Sequence, residues 1–479
     1  MEVAQMLIFF ACLALLVVGY IAYGTIVDKI FGSDESRPTP ASTMYDGVDY
    51  VEMPTWKIWL IQLLNIAGLG PIFGPILGAL YGPSALLWIV FGSIFAGAVH
   101  DYFSGMLSLR YNGASVPDVV GQNLGNFFKQ FMRWFSVILL LLVGIVFVLG
   151  PAKLLTNMTN LSVPVLVGLI FAYYFLATIM PIDKIIGRIY PLFGAVLLFM
   201  AVGLTIALIA QGHEFYPQRT LSNVHPTELP MWPLMFITIA CGALSGFHAT
   251  QSPMMARCLK SEKRGKAVFY GAMIGEGAIA LIWATLGMTF YHGSAELNAA
   301  LAQGGPAYVV NQVSTTLLGG FGGVLAVLGV VLLPITSGDT AFRSARLIIA
   351  EMLNVEQKNY FKRLAIAVPL FIVGYLISMT EFDIIWRYFG WANQTLATVV
   401  LWAAAAYLIR NGKLHWIATI PAMFMTVVVT TYLANQPLGF GLDMQVSTYI
   451  GVLVSAASTA AFFIKFRKCG CVQAEPEAE

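Results

Sequence analysis

Asn65-Ile66-Ala67-Gly68-Leu69-Gly70-Pro71-Ile72-Phe73-Gly74-Pro75 lies in the middle of an apolar run at 57–80. Each proline removes a backbone donor and clashes with the preceding turn, and each glycine lowers helix propensity. A continuous α-helix through 68–75 is therefore not expected. A run of this length and hydropathy spans a bilayer, where unwound backbone is tolerated only if it is buried in protein or lines a polar cavity. The alternative is a glycine-lined helix crossing with a proline kink.

The rest of the chain extends this reading. Its 479 residues are 58% hydrophobic and only 10% charged, against roughly 25% charged in a soluble domain. Most of its exterior must face lipid, so the lipid bilayer is its first partner. Inside lipid only helices or a closed barrel satisfy the backbone. The apolar runs are about twenty residues long rather than ten, which selects an all-α integral membrane protein. About thirteen spans are expected, at 6–27, 57–80, 83–108, 131–150, 163–180, 187–211, 232–252, 266–291, 319–337, 362–380, 386–409, 414–433 and 446–466. With the N-terminus outside, nearly every lysine and arginine falls on one side of the membrane. Only Lys153, Arg219 and Arg387 fall on the other. The crowded side is cytoplasmic by the positive-inside rule, placing the C-terminus inside. No cleaved signal peptide is expected, since no positive region precedes the first run.

Three segments are read as loops: 28–56 on the cytoplasmic side, and 212–231 and 292–318 on the outer side. In the last, Gln303-Gly304-Gly305-Pro306 breaks helix before a short amphipathic helix. The five cysteines are too scattered for a disulfide framework. Cys469 and Cys471 read as reduced thiols of a cytoplasmic tail, and the acidic end at 475–479 as disordered.

A second interrupted span is Gly242-Ala243-Leu244-Ser245-Gly246-Phe247-His248-Ala249-Thr250-Gln251-Ser252-Pro253. It sets a histidine among hydroxyl and amide groups at membrane depth. Such a histidine is functional by default, or else bonds a neighbouring helix. The two interrupted segments are about 175 residues apart, and each opens a block of five spans, 57–211 and 232–409. An odd number per block gives the blocks opposite orientation, the arithmetic of an inverted repeat with its site at the repeat interface. Residues 1–56 then add an N-terminal helix and loop, and 410–479 add two helices and a tail. Half-helix N-termini offer N–H groups to an anion. Gly68, Gly70, Gly74, Ser245, Gly246, His248 and Gln251 are the expected substrate-binding residues.

Among other membrane-depth polar groups, Asp101 (beside His100) and Glu276 either carry a proton or form structural pairs. Thr336, Ser337 and Asp339 lie in Pro334-Ile335-Thr336-Ser337-Gly338-Asp339-Thr340, read as hydroxyls and an acid beside a helix end. They either ligate a hard cation or cap the helix. Arg387 is expected to pair with Glu381 or Asp383. Gln62 is read as a packing or gate residue. No HExxH, paired-carboxylate or Cys/His metal spacing supports an enzyme, and no nucleic-acid partner is indicated.

Six motifs together resemble the carbon starvation protein A (CstA) family of prokaryotic transporters. They are IAGLGPIFGP at 66–75, GAVHDYFSGMLSLRYNG at 97–113, CGALSGFHATQSP at 241–253, VFYGAMIGEGAIALIWA at 268–284, PITSGDTAFRSAR at 334–346 and WRYFGWANQTLA at 386–397. The resemblance implies a leucine-transporter-like core of five-plus-five inverted helices in the plasma (inner) membrane. It implies import of a small carboxylate such as pyruvate by proton symport, with peptide uptake as the other activity. In the leucine-transporter-like fold, the position of Thr336 and Ser337 supplies oxygens of a sodium site. No cofactor is implied, and the coupling ion is H+ or Na+. Where some members have a histidine pair before the IAG motif, this chain has Ile61-Gln62, which shifts weight towards sodium. An ion channel is the alternative from another class.

Overall fold

The computed structural model describes residues 2–47, 50–179, 182–357, 359–437 and 439–466. Cys469, Cys471, the acidic end and the basic residues Lys358, Arg467 and Lys468 lie outside the described residues. Among the described residues the regular elements are all helical. In chain order the principal helices are α1 (Gln5–Phe31), α2 (Thr55–Ile66), α3 (Gly70–Gly78), α4 (Ser84–Arg110), α5 (Asn126–Met158), α6 (Val163–Ile179), α7 (Ile182–Ala210), α8 (Met231–Thr238), α9 (Gly246–Ala256), α10 (Glu262–Phe290), α11 (Ser294–Leu353), α12 (Tyr360–Ile377), α13 (Phe382–Arg410), α14 (Trp416–Asn435) and α15 (Met444–Phe466), with shorter helical pieces at Pro40–Thr43, Ala79–Tyr81 and Val116–Leu124. Every expected apolar run falls on one helix or on a close pair. By length and hydropathy ten described helices can cross a membrane, or eleven when α2 and α3 count as one bent span. The segment Val163–Thr178 is apolar but shorter, and α8 and α9, of 8 and 11 residues, are shorter still.

Burial sorts the helices. In their most apolar windows, α4 and α13 are 78% and 83% buried, whereas α1, α12 and α15 are each 22% buried. The first two form the middle of the protein and the other three its lipid-facing rim.

Both interrupted spans are broken. α2 stops at Ile66, and α3 restarts at Gly70 with a bend of 50°. Pro71 sits in the first turn of α3, where its missing N–H costs no helical bond. α8 ends at Thr238, and α9 starts only at Gly246. Gly242 lies between them at φ 89°, a left-handed conformation that favours glycine. The two breaks pack on each other. A Cβ on Gly70 would stand 2.2 Å from Cys241 Sγ, and one on Gly74 would stand 2.9 Å from the Thr238 carbonyl oxygen.

α11 leaves helical geometry at Gly304, Gly305 and Gly319, matching the expected break and the expected start of the following span. Beyond Gly319 it runs on to Leu353, so Thr336, Ser337 and Asp339 are interior helical residues, not caps. Their side chains explain why. Thr336 Oγ1 donates to the Leu333 carbonyl at 2.8 Å, and Asp339 lies 3.4 Å from Arg343 one turn on.

One end of the molecule is tied shut. Buried Glu262 accepts two bonds from Arg110, both at 3.0 Å, and one from the Asp34 N–H at 2.9 Å. Arg110 also donates to Tyr407 and to the Gly32 carbonyl. Ser115 donates to Glu351 at 2.9 Å across the same end. The opposite end carries a vestibule of about 870 Å³ lined by Tyr81, His225, Thr238, Trp386, Arg387 and Gln436, among others.

Candidate functional site

The second break sets a buried polar cluster between α4, α9, α10 and α13. Asp101 sits on α4, just past a ten-residue π-helical stretch, Trp88–Gly97. It binds two imidazoles: His100 Nδ1 at 2.8 Å through one oxygen and His248 Nδ1 at 2.9 Å through the other. On its far side, His248 Nε2 lies 3.4 Å from Glu276 Oε1 of α10. All four side chains are fully buried. Asp101 and Glu276, separate acids in the sequence, thus flank a single histidine. The His248 Nε2–Glu276 Oε1 approach is an ion-pair contact without a well-formed hydrogen bond, and His100 Nε2 has no hydrogen-bond partner among the described residues.

Cys241 and Asn393 complete the cluster. The sulfur of Cys241, the ring nitrogen of His248 and a carboxylate oxygen of Glu276 lie within 4.8 Å of one another. The Phe247 N–H donates to Asn393 Oδ1 at 2.7 Å, and Asn393 Nδ2 donates to Ser245 Oγ at 3.0 Å. The N-terminus of the half-helix α9, where an anion is expected, is therefore met here by the Asn393 amide. Gly246 allows this approach: a Cβ there would stand 2.3 Å from the Asn393 carbonyl oxygen.

The remaining expected residues lie around this centre. Gly68 packs against the Phe147 ring, where a Cβ would meet it at 2.5 Å. Gly70 and Gly74 face the second break. Gln251 is buried and donates to Thr250 Oγ1 at 3.0 Å, leaving its own carbonyl oxygen without a partner. Gln62 joins α2 to α9 by donating to Ser252 Oγ at 3.4 Å. Ser337 reaches the first break and donates to the Leu64 carbonyl at 3.1 Å. Thr336 bonds back into its own helix, and Asp339 faces Arg343; neither side chain joins the central cluster.

Arg387 departs from expectation. It forms no ion pair with Glu381 or Asp383 among the described residues. It is exposed and lines the vestibule together with Asp383. The vestibule reaches Thr238, the last residue before the second break, and its lining Trp386 packs with tilted rings on Phe73 and Phe389, centroids 5.3–6.0 Å apart. Neither Cys241 nor Asn393 is among the site residues expected from the sequence. The one signal for Cys241 was its position at the mouth of the glycine-broken segment.

A family model described as "Carbon starvation protein CstA" matches residues 4–155, 148–314 and 289–433. A membrane protein of Haemophilus influenzae is 48% identical over 357 residues, which is 64% of this chain and 96% of that one. The peptide transporter CstA of Campylobacter jejuni is 27% identical over 560 residues, covering 88% of this chain and 78% of its own. The pyruvate/proton symporter BtsT of Escherichia coli is 24% identical over 348 residues, covering 59% and 48%. Among solved structures, Mhp1, a nucleobase-cation-symport-1 family transporter, superposes with a TM-score of 0.57 at 14% identity over 90% of this chain and 98% of its own. That likeness shows a shared fold, the leucine-transporter-like arrangement expected from the sequence.

Proposed function

The chain belongs to the carbon starvation protein CstA family, and from that premise we propose a secondary transporter that imports a small carboxylate, pyruvate-like in size, by symport with a proton or sodium ion. The observation that carries this reading is the pair of helix breaks packed on each other. Broken helices at membrane depth are where secondary transporters of this design bind their cargo. A carboxylate displacing Asn393 from the α9 N-terminus would meet the Phe247 N–H, Ser245 and the positive end of the helix dipole. Gly68, Gly70 and Gly74 would let the two breaks separate and close again as rigid surfaces.

One end is open and the other is bolted by Arg110 and Glu262. Under the positive-inside reading, the vestibule faces outward and the bolt faces the cytoplasm. Alternating access then requires the aromatic cluster of Phe73, Trp386 and Phe389 at the vestibule to open first and the bolt second. A channel would need one path through both. Ser337 and the Leu64 carbonyl supply two hard oxygens for sodium. A short peptide is the second reading, favoured by the peptide transporters among the relatives and by Arg387 and Asp383 sharing the vestibule, since a zwitterion carries both charges.

The test is uptake of labelled pyruvate and labelled dialanine by reconstituted liposomes, with proton and sodium gradients imposed separately. Uptake driven by one gradient and abolished by its collapse is expected. Indifference to both gradients would defeat the symport reading.

A further inference from the structure

We infer that Cys241, His248 and Glu276 form a binding site for a zinc-like divalent transition metal. Thiolate sulfur, imidazole nitrogen and carboxylate oxygen are the ligands zinc takes in proteins. Three features point to an ion rather than to ordinary packing. The three ligand atoms converge to within 4.8 Å of one another, all buried. His248 Nε2 and Glu276 Oε1, two of the atoms that would bind, face each other at 3.4 Å without a well-formed hydrogen bond between them. The remaining nitrogen of His248 is held at 2.9 Å by Asp101, the outer-shell carboxylate that orients a metal-bound imidazole.

The dimensions agree. Bonds of about 2.0–2.3 Å to nitrogen, oxygen and sulfur place tetrahedral ligands about 3.3–3.8 Å apart. The His248–Glu276 edge is 3.4 Å. The edges to Cys241, at most 4.8 Å, close to that range with a side-chain shift of about 1 Å. Cys241 sits in the non-helical segment between α8 and α9, where such a shift breaks no helical bond. Sodium or potassium would not choose a thiolate, so the donor set itself selects the metal class. Three protein ligands leave one tetrahedral position for water or another oxygen.

The experiment uses the full chain purified in detergent, stripped with chelator and titrated with Co²⁺, then with Zn²⁺ in competition. A thiolate-to-cobalt charge-transfer band saturating at about one ion per chain, and displaced by Zn²⁺, is expected. Cys241→Ser should abolish the band, and Glu276→Gln should weaken binding at least tenfold, each in protein that still elutes as a folded species. A variant with Cys469 and Cys471 both changed to serine should keep the wild-type band. Absence of the band in wild-type protein, or its survival in Cys241→Ser, would overturn the site. Transport is not the readout, so the result is independent of the proposed function.

Discussion

Gly70→Ala tests the close packing of the two breaks. The added Cβ would lie 2.2 Å from Cys241 Sγ and 2.3 Å from Cys241 Cβ, with the Cys241 Cα at 3.7 Å. Ordinary non-bonded contacts begin near 3.5 Å, so the two segments must part by about 1.3 Å. Overpacking of this kind costs about 1–3 kcal/mol. Alanine's better helix propensity returns at most about 1 kcal/mol, and less in a first turn. A net loss of about 1–2 kcal/mol is expected, a five- to thirty-fold shift against the packed state. The assay is thermal denaturation of detergent-purified protein followed by size-exclusion chromatography, in chelator so that no bound metal contributes. Cys241→Gly removes both clashing atoms. The double variant Gly70→Ala/Cys241→Gly should therefore lose less stability than the two single losses added together, by about 0.5–3 kcal/mol. Gly70→Ala as stable as wild type, or strictly additive losses, would refute the close-packed junction.

Other substitutions separate structure from surface. Asn393→Ala leaves the Phe247 N–H without its acceptor and should cost about 1–3 kcal/mol in the same melting assay. Glu262→Ala removes a side chain that is 1% exposed and paired with Arg110, and should cost about 3–5 kcal/mol. Arg37→Ala, at the 51% exposed rim of the same cluster, should cost less than about 1 kcal/mol. Gly168→Ala meets nothing within 4 Å and should leave stability unchanged or raise it by up to about 1 kcal/mol. If sodium is the coupling ion, Ser337→Ala should raise the sodium concentration for half-maximal uptake at least tenfold while leaving any proton-driven component untouched.

Hydropathy and the Gly/Pro breaks were legible from sequence because both are local properties. The α2/α3 break falls at residues 67–69, just ahead of Pro71 in the first turn of α3, while Gly74 and Pro75 continue inside that helix; the α8/α9 break falls around Gly242, and Pro253 lies inside α9. What lay beyond the sequence was partnership across the fold. Asp101, His248 and Glu276 come from three helices, and no spacing shows that they meet around one imidazole. Cys241 and His248 are seven residues apart, outside any helical metal spacing; a non-helical turn brings them together with a third ligand from α10. The helix-end reading of Ser337 and Asp339 failed because hydroxyls and acids at a helix start look the same in sequence as hydroxyls bonding back along a continuous helix. Arg387 misled in a similar way: i, i+4 spacing to Asp383 permits a pair, but both side chains instead line the vestibule.

Carrier action at the paired breaks is tested most directly by counterflow. Liposomes holding the wild-type protein are loaded with unlabelled substrate, and labelled pyruvate or dialanine is added outside with no ion gradient. A transient internal accumulation of label, absent when the lumen is empty, is the predicted result. Label that merely equilibrates at the same rate whatever the lumen contains would contradict a site exposed to one side at a time.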